Sequence, residues 1–478
     1  MKICTWLIAA TAIVGVDAFA QSIDGAFNPE PEVPPVTVAL QSDGKILVAG
    51  NFDEVGGTVR TRLARLNHDG SVDLTFTDPL VNGNIDAVAV QPDGKILVGG
   101  DFDAVSTNTR HYLARLNADG STDTSFADTN LNDIVFAIAL QPDGQVLVAG
   151  DFTFGLSPNF TQTYIARFSA TGVLDTHFTP GVLCCGPARN IAVQSNGNVL
   201  VGGYFTKVGN TSKSYFAQFT SSGALNASFP GGSITPLVAS IVIAPDGSIY
   251  VNASGNDEIF KYSATGTPIA LSVHEATLDS GIDSFVLQPD GKLLIAGIFQ
   301  TANGQGHHGL ARLNADGTLD TAFADLHFNF NPTDENGYVY GISAEANGDI
   351  VAIGNFSFAN GTARQYMARV LGNDAGSSSL TATASGGSSI VTWTRTGGGA
   401  EVGAAPMLEY STDGVNYTNV GTMARITNGW RITAPYNFDG PPFYLRAESY
   451  ASTGAGNGSI GRVTSPVLSD RIFADGFE

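Results

Sequence analysis

Residues Gln91–Phe102 read QPDGKILVGGDF, and versions of this segment recur along most of the chain. The copies begin at residues 41, 91, 141, 194, 244, 288 and 345. Each copy has a polar turn, such as Pro92–Lys95, followed by a short apolar run such as Ile96–Val98. A second recurring segment follows, and it is clearest at Leu113–Phe126 (LARLNADGSTDTSF). The chain is therefore built from seven copies of one unit, which we call repeats 1 to 7.

The second repeat indicates four short strands. Ile85–Val90 alternates apolar and other residues, and Ile96–Phe102 is nearly continuously apolar, as in strands covered on both faces. His111–Leu116 and Ser121–Phe126 follow, separated by the hairpin turn Asn117–Gly120. Four strands per repeat are typical of a propeller blade. No sustained helical periodicity occurs. We therefore predict an all-β protein whose main part is a seven-bladed β-propeller.

The two ends of the repeat region complement each other. Repeat 7 ends at Tyr366–Leu371 without a fourth strand. Near the start of the chain, Ser22–Phe27 (SIDGAF) matches Ser121–Phe126 in its Ser, Asp and Phe positions. We infer that the N-terminal strand completes the last blade and closes the ring, giving a propeller over residues 21–371.

An arginine stands eight residues before an aspartate in several repeats. These pairs are Arg65–Asp73, Arg115–Asp123, Arg167–Asp175 and Arg312–Asp320. In repeat 4 both charges are absent, because Gln218 and Asn226 occupy these positions. Arg369 has no downstream partner, and Asp24 of the closing strand would supply one. We predict structural ion pairs between third and fourth strands, which specify register more than they add stability.

The two recurring segments resemble the delta-60 repeat family of bacterial β-propeller-like proteins over about residues 22–371. The resemblance implies a propeller-like fold on an exported protein. It brings no catalytic motif that could be transferred to this chain.

The connections between strands predict two different faces. The first-to-second and third-to-fourth turns are short and nearly uniform, and they share one face. The linkers between repeats, such as residues 179–189 and 324–338, share the opposite face with the second-to-third loops, such as residues 153–163 and 300–308. We call this opposite face the variable face. Variable loops on a rigid scaffold commonly carry binding sites, so we expect any ligand site there, near the central opening.

Histidines and carboxylates on the variable face are the candidate ligand-binding residues. They are His307, His308, Asp325, Asp334 and Glu335. The histidines could bind a metal ion together with His111, but adjacent residues of a strand point to opposite sides, so solvated loop histidines are the favoured interpretation. The three acidic residues, with Asn329 and Asn331, could offer oxygen ligands to Ca²⁺. Their spacing matches no Ca²⁺ loop, so we expect no cofactor.

Cys184 and Cys185 are the only cysteines after residue 20, and they are adjacent. In an oxidising compartment they could form a vicinal disulfide or remain thiols. A structural pair is favoured over a redox site.

Residues 1–20 have the features of an export signal. Lys2 precedes the apolar run Ile3–Val16, and Ala18–Ala20 supplies a cleavage site, so we expect a secreted or cell-envelope protein cleaved near Ala20. No other apolar run is long enough for a transmembrane helix. The net charge of −21 argues against nucleic acids and anionic membrane surfaces as partners. We expect a monomer.

The repeat pattern stops after Leu371. Residues 372–389 are rich in Gly, Ser, Ala and Thr and are typical of a linker. Residues 390–467 contain alternating strands that indicate a small β-sandwich. The segments VTWT, LEYSTDG and FYLRAES resemble strands of fibronectin type III-like domains, with Trp393 in the core. Residues 468–478 form a polar tail.

The sequence favours a non-catalytic, exported binding scaffold that presents its variable face to an extracellular protein or glycan. It contains no HExxH, GxSxG or GxxxxGK[ST] motif. The alternative is an extracellular polysaccharide hydrolase or lyase with carboxylates at the central opening, for which Asp325, Asp334 and Glu335 are the candidates. A purely structural matrix component is a third hypothesis.

Overall fold

The computed structural model describes residues 21–469. The residues left out within this range are 158–159, 232–233, 235–236, 255–257, 271–277, 332–336, 373–376, 386–387, 398–400, 403–404, 427–428, 437–442, 453–459 and 465–467. The expected export signal (residues 1–20) and nearly all of the C-terminal tail (residues 470–478) lie outside the described residues. The regular elements in the described part are all β-strands, as predicted. No described segment forms an apolar helix long enough to cross a bilayer.

Thirty-four strands belong to the repeat region, in chain order. The first eleven are β1 (Ser22–Ile23), β2 (Pro35–Leu40), β3 (Ile46–Gly50), β4 (Glu54–Val55), β5 (Thr58–Val59), β6 (Leu63–Leu66), β7 (Asn84–Val90), β8 (Ile96–Asp101), β9 (Ala104–Val105), β10 (Asn108–Thr109) and β11 (Leu113–Leu116). The next thirteen are β12 (Val135–Leu140), β13 (Val146–Ser157), β14 (Phe160–Phe168), β15 (Leu183–Cys184), β16 (Ala188–Val193), β17 (Val199–Gly203), β18 (Lys207–Val208), β19 (Thr211–Ser212), β20 (Phe216–Phe219), β21 (Leu237–Ile243), β22 (Ile249–Ser254), β23 (Glu258–Tyr262) and β24 (Pro268–Ile269). The last ten are β25 (Ile282–Leu287), β26 (Leu293–Gly297), β27 (Thr301–Ala302), β28 (Gln305–Gly306), β29 (Leu310–Leu313), β30 (Tyr338–Ala344), β31 (Ile350–Asn355), β32 (Phe358–Ala359), β33 (Thr362–Ala363) and β34 (Met367–Leu371).

Each repeat folds into one antiparallel sheet with its second strand in the middle. The sheets are β2–β3–β6, β7–β8–β11, β12–β13–β14, β16–β17–β20, β21–β22–β23, β25–β26–β29 and β30–β31–β34. The second strands are buried along nearly their whole length, which explains their continuous apolar sequence. The fold is therefore propeller-like, as the repeats predict.

The predicted fourth strand is shorter in the structure. In repeat 2 only Thr122 pairs with the third strand, opposite Leu116, where Ser121–Phe126 was expected to be a strand. The chain turns immediately afterwards because Asp123 Oδ1 accepts hydrogen bonds from the N–H (2.9 Å) and Oγ–H (2.6 Å) of Ser125. This turn brings Phe126 into the core, where it is fully buried.

The connections between second and third strands are more regular than predicted. Repeats 1, 2, 4, 6 and 7 share a short hairpin, formed by β4–β5, β9–β10, β18–β19, β27–β28 and β32–β33. Its turn is made by residues with positive φ, such as Asn303 and Gly304 in repeat 6. Two repeats depart from this pattern: β13 and β14 of repeat 3 extend into this region, and β22 and β23 of repeat 5 pair with each other as far as Ala253 and Glu258. The variability of this face therefore comes mainly from the linkers.

The repeats follow one another side by side. Each first strand contacts the first strand of the next repeat, and β30 of repeat 7 contacts β2 of repeat 1. Strand β1 pairs with β34 through Ser22–Leu371 and Ile23–Val370. Phe27 belongs to the same buried cluster as Val48 of repeat 1 and Met367 of repeat 7. The N-terminal segment thus lies between the last repeat and the first.

A three-part contact surrounds the arginine of the third strand. In four repeats its carboxylate partner lies eight residues downstream, and the atom pairs are Arg65 Nε–Asp73 Oδ2 (2.8 Å), Arg115 Nε–Asp123 Oδ2 (2.7 Å), Arg167 Nη2–Asp175 Oδ2 (2.7 Å) and Arg312 Nε–Asp320 Oδ2 (2.8 Å). In repeat 7 the partner is Asp24 of the N-terminal segment, with Arg369 Nη1 3.4 Å from Asp24 Oδ2. The guanidinium also lies over a phenylalanine ring that ends the same unit, for example Arg65 Cζ at 4.5 Å from the Phe76 centroid. A lysine of the first turn joins the same carboxylate in repeats 1, 2 and 6, through Lys45, Lys95 and Lys292.

The same guanidinium reaches the neighbouring repeat. Arg65, Arg115 and Arg167 donate from Nη1 to the carbonyls of Ala118, Ala170 and Ser221, at 2.6 Å in each case. Each of these carbonyls belongs to the third-to-fourth turn of the next repeat. Arg369 of repeat 7 donates in the same way to the carbonyl of His68 in repeat 1. One side chain therefore connects strand to strand and repeat to repeat.

Repeat 4 keeps the geometry without charge. Asn226 Nδ2 donates to Gln218 Oε1 at 2.6 Å. Because both charges are replaced together, neither is left unpaired in a buried position.

The C-terminal part contains two further sheets. Its strands are β35 (Ser377–Ser385), β36 (Ser388–Thr396), β37 (Met407–Ser411), β38 (Thr418–Thr422), β39 (Ala424–Ile426), β40 (Gly429–Ala434), β41 (Tyr444–Ser452), β42 (Ile460–Thr464) and β43 (Leu468–Ser469). One sheet has the order β35–β36–β40–β39, and the other contains β42–β41–β37–β38, with β43 also pairing with β41. Trp393, Leu408 and Leu445 share one buried cluster that joins the two sheets.

The segment 372–389, expected to be a linker, contains β35 and the start of β36. Its small residues do not prevent a strand, because Leu380 alternates inward and is buried. Ser378 Oγ also accepts the indole N–H of Trp393 at 2.8 Å. The composition of this segment predicted a linker, whereas much of it forms a strand.

These two sheets contact the repeats at the uniform-turn face. Ile460 of β42 pairs with Ala89, close to the first turn of repeat 2, and the N–H of Glu401 donates to the carbonyl of Leu287 at 2.8 Å. A pocket between Arg425 and the turns of repeats 4 and 5 lies along the same contact. The C-terminal sheets therefore lie away from the variable face.

We predict that the Arg–Asp contact tolerates joint neutralisation but not single neutralisation. Arg167→Gln leaves the Asp175 carboxylate without its ion-pair partner and should lower the free energy of unfolding by about 3 kcal/mol. The double variant Arg167→Gln/Asp175→Asn copies repeat 4 and should remain within about 1 kcal/mol of the original chain. Urea unfolding provides the measurement, with the turn variant Asp143→Asn as control. A double variant as unstable as the sum of both singles would contradict the prediction.

Candidate binding site on the variable face

A β-bulge interrupts every first strand near its beginning, on the side of the variable face. The extra residues, which we call the bulge residues, are Val36, Asp86, Phe136, Arg189, Ala239, Asp283 and Tyr340. They comprise six residue types in seven repeats, whereas the residues that follow them are small (Thr, Ala, Ser or Gly) in six repeats, with Asn190 of repeat 4 as the exception. A purely structural position would be expected to repeat its residue, as the buried Phe52 and Phe102 do.

A glycine in the second strand lets the bulge form. A Cβ atom added to Gly100 would lie 2.1 Å from the carbonyl oxygen of Asn84, and one added to Gly354 would lie 2.0 Å from that of Tyr338. Glycine allows this close approach of the two backbones in six repeats, whereas in repeat 5 Ala253 occupies the equivalent position and the first strand is bulged as well. The Gly that ends the QPDGKILVGG segment recurs in six repeats and leaves room for the bulge, which displaces one side chain from the regular alternation.

Arg189 brings three repeats together. Its Cζ lies 3.8 Å from the ring centroid of Phe136 and 5.8 Å from that of Tyr204. It is also close enough to Asp86 and Asp151 for its positive charge to oppose the rise in the pKa of both carboxyl groups that burial causes. Its Nε is buried and has no hydrogen-bond partner within the part of the chain that the structure describes.

The carboxyl groups around Arg189 are held toward their neutral form. Burial, opposed by the charge of Arg189 and assisted by repulsion from Asp101, raises the pKa of Asp86 to about 6. Burial and the charge of Asp133 also raise the pKa of Asp151. A carboxyl group with a raised pKa is more often protonated, and the protonated form can donate as well as accept hydrogen bonds.

A second part of the bulge set lies in repeats 6 and 7. Burial raises the pKa of the Tyr340 hydroxyl, and the negative charge of Asp283 acts in the same direction. A hydrogen bond with Asn355 opposes the rise. The bulge residues therefore include carboxyl groups, a positively charged guanidinium and aromatic rings. Together these groups can recognise a polar ligand through stacking and directed hydrogen bonds.

Sequence reasoning missed the bulge residues as a site. The signal was present in the aligned repeats, where this position varies most in chemistry within an otherwise uniform strand. The bulge itself cannot be read from one repeat, so the shared backbone position of these residues was not evident.

The structure places the sequence-predicted residues in two groups. His308 and Asp325 lie together, with Nδ1 of His308 2.7 Å from Oδ2 of Asp325. His307 is buried separately, in the position that Arg60 and Arg110 occupy in repeats 1 and 2, and burial lowers its pKa. Asp334 and Glu335 lie outside the described residues.

Of the oxygen ligands considered for Ca²⁺, Asp325 and Asn329 both have structural partners, and Asp334 and Glu335 lie outside the described residues. Asn329 is buried and pairs through its backbone with Phe358 of the next hairpin. Asp325 instead accepts hydrogen bonds from the backbone N–H groups of His308 and His327, each at 3.0 Å. These bonds and His308 hold the pKa of Asp325 below its usual range, although burial opposes them.

Cys184 and Cys185 are joined by a disulfide bond. Cys184 belongs to β15, which pairs with the hairpin strand β18 on the variable face. The pairing of β15 with β18 therefore joins the linker between repeats 3 and 4 to the hairpin of repeat 4, and the disulfide lies at this junction.

Five segments of the chain match a β-propeller repeat family. The family is described as a domain of unknown function (DUF5122) beta-propeller, and the matched residues are 41–76, 91–126, 141–178, 194–229 and 288–323. The matches lie in repeats 1 to 4 and 6. No curated protein sequence matches this chain.

Several solved structures are similar in fold at low sequence identity. YCF48 bound to D1 peptide is 11% identical, with a TM-score of 0.45, over 74% of this chain and 96% of that chain. Virginiamycin B lyase from Staphylococcus aureus is 11% identical, with a TM-score of 0.37, over 72% and 97%. A calcium-binding protein, regucalcin, from Agrobacterium tumefaciens is 15% identical, with a TM-score of 0.34, over 60% and 89%. Propellers of this kind include binding proteins and enzymes, so the fold does not select a function.

We predict that Asp86 titrates near pH 6 and responds to its two charged neighbours in opposite directions. Arg189→Met removes the attraction and should raise the pKa of Asp86 above about 6. Asp101→Asn removes the repulsion and should lower it. Carboxyl carbon shifts in NMR titrations measure both changes, with Asp143→Asn as control. Equal shifts of the same sign in both variants would contradict the proximity of the three groups.

Proposed function

We propose that this protein is an exported, non-catalytic binding scaffold that presents its variable face to an extracellular protein or glycan. The observation that carries the proposal is the bulge set. One position in every repeat is displaced from the sheet in the same way, yet its chemistry changes from repeat to repeat. This combination suits recognition of an asymmetric ligand, because seven equivalent backbone sites present different side chains.

We further propose that residues 21–371 form a closed, seven-bladed propeller of delta-60-type repeats. The pairing of β1 with β34, the contact of β30 with β2, and the bond from Arg369 to the His68 carbonyl support closure. The last two contacts reproduce between repeats 7 and 1 what occurs between consecutive repeats, and the first reproduces a pairing that occurs within a repeat, such as that of Leu116 with Thr122. A closed ring would give the bulge residues one common central opening.

The C-terminal residues 390–467 are proposed to be a fibronectin type III-like module. Its strand orders support this assignment, since the two sheets share one core and place β36 beside β40 and β37 beside β41. The module contacts the uniform-turn face, which leaves the variable face for a ligand. Export rests on the signal-like residues 1–20.

We predict that substitutions of bulge residues weaken ligand binding without unfolding the protein. A variant with Phe136→Ala, Arg189→Ala and Tyr340→Ala should bind about tenfold more weakly, or worse, to ligands found on arrays of extracellular glycans and surface proteins. The control is Asp93→Asn in a uniform turn, whose Asn can still accept the N–H of Lys95. Equal binding by the triple variant and the control would overturn the proposed site.

One observation favours an extracellular polysaccharide hydrolase or lyase as the alternative. Asp86, with its raised pKa, lies near the Asp101 carboxylate, and such a pair can serve as acid and base. Asp325, nominated from the sequence, is less suited to proton donation because its hydrogen bonds favour the ionised form. Polysaccharide cleavage by the original chain that is lost in Asp86→Asn would favour this alternative. Absence of cleavage with retained binding would favour the scaffold.

A further inference from the structure

We propose that His308, Asp325 and His327 form a binding site for a borderline divalent metal ion such as Zn²⁺. One ligand atom from each residue lies within 4.8 Å of the others. The sequence suggested two metal sites, one at His307 and His308 with His111 and one for Ca²⁺ at acidic residues that include Asp325, and it did not suggest His327. The fold replaces His307, which is buried elsewhere, by His327 and adds the carboxylate.

The carboxylate of Asp325 is oriented for two histidines. Its Oδ1 accepts the backbone N–H groups of His308 and His327, each at 3.0 Å. Its Oδ2 faces Nδ1 of His308 at 2.7 Å and Nδ1 of His327 at 3.7 Å. The two imidazole rings lie close together, with centroids 3.8 Å apart and planes tilted by 39°. The backbone bonds therefore fix one oxygen and direct the other at both rings.

These distances suit a small tetrahedral ion. Bonds of about 2.0–2.1 Å at tetrahedral angles place ligand atoms about 3.3 Å apart. The two histidine–aspartate separations of 2.7 and 3.7 Å bracket this value, and the ligand atoms of the two histidines lie within 4.8 Å of each other, so side-chain rotations would bring all three ligands to an ion. Two imidazole nitrogens and one carboxylate select Zn²⁺ or a similar ion over Ca²⁺ and Mg²⁺, which require more oxygen ligands. A fourth position would remain open to water.

The other repeats show which part of the site the fold itself requires. In repeat 1 Asp78 accepts the N–H of Thr61, and in repeat 2 Asp128 accepts that of His111 at 2.9 Å. The aspartate is thus a structural element that anchors the start of the third strand. His111 Nδ1 even lies 2.7 Å from Asp128 Oδ2, as in repeat 6. The His–Asp pair alone is therefore no evidence of a metal site.

His327 distinguishes repeat 6. The equivalent residues are Leu80 and Asn130, and all three have positive φ, of 42° for His327 and 50° for the other two. Leucine and asparagine satisfy this backbone position, so the fold does not require a histidine there. The imidazole of His327 is the one feature that converts a structural pair into three converging ligands.

The test is metal binding by untagged protein, measured by calorimetry with Zn²⁺ and by the visible spectrum with Co²⁺. The original chain should bind one equivalent, and its melting temperature should rise in Zn²⁺. His327→Asn copies repeat 2, keeps the backbone conformation and should lose this equivalent. Ca²⁺ should neither bind nor compete at this site.

A gain-of-site variant provides the matched control. Asn130→His adds the third ligand beside His111 and Asp128, so this variant should bind two equivalents of Zn²⁺. Unchanged melting temperatures without metal would show that both variants fold. Retained binding in His327→Asn, no binding by the original chain, or a single equivalent in Asn130→His would each overturn the proposal.

Discussion

The contact around the third-strand arginine is the constraint on which the repeat region depends. One guanidinium pairs with an aspartate of its own repeat, covers a phenylalanine ring and donates to a carbonyl of the next repeat, as Arg115 does with Asp123, Phe126 and Ala170. Because a planar, always charged group makes these contacts in fixed directions, it sets the register within a repeat and the approach of the next repeat together. The depressed pKa values of the paired aspartates keep the contact ionised until the pH falls below their ordinary range.

The residues that hold the repeats together, which we call the frame, are different from the bulge residues of the candidate binding site. The arginine contacts, the buried phenylalanines and the uniform turns hold the sheets, while the bulge residues sit at the opposite ends of the first strands, where they do not contribute to these contacts. Repeat 4 shows that the frame tolerates a neutral version, since Gln218 and Asn226 keep the hydrogen bond. The C-terminal sheets occupy the uniform-turn face, so the chemically varied face is the one left for a partner.

Much of the fold could be predicted because its signals are local and repeated. The eight-residue spacing of Arg115 and Asp123 identified their contact, and Ser22–Phe27 identified the segment that pairs with β34. Predictions failed where one side chain redirects the backbone, as Asp123 does when it ends the fourth strand, and where composition hid a strand, as in residues 372–389. The candidate site was missed because Asp86 and Arg189 lie in different repeats, and because the distance between them depends on how whole sheets pack. His327 was missed because its role follows from a turn with positive φ.

The central claim is that different residues hold the fold and form the candidate site. The melting temperature of a chain with five substituted bulge residues tests this claim most directly. The variant carries Asp86→Asn, Phe136→Leu, Arg189→Gln, Asp283→Asn and Tyr340→Phe. If the arginine contacts hold the frame and the bulge residues serve a ligand, its melting temperature should stay within about 3 °C of the original chain. A fall of about 10 °C or more, or loss of a cooperative transition, would show that the bulge residues stabilise the fold and would contradict the account.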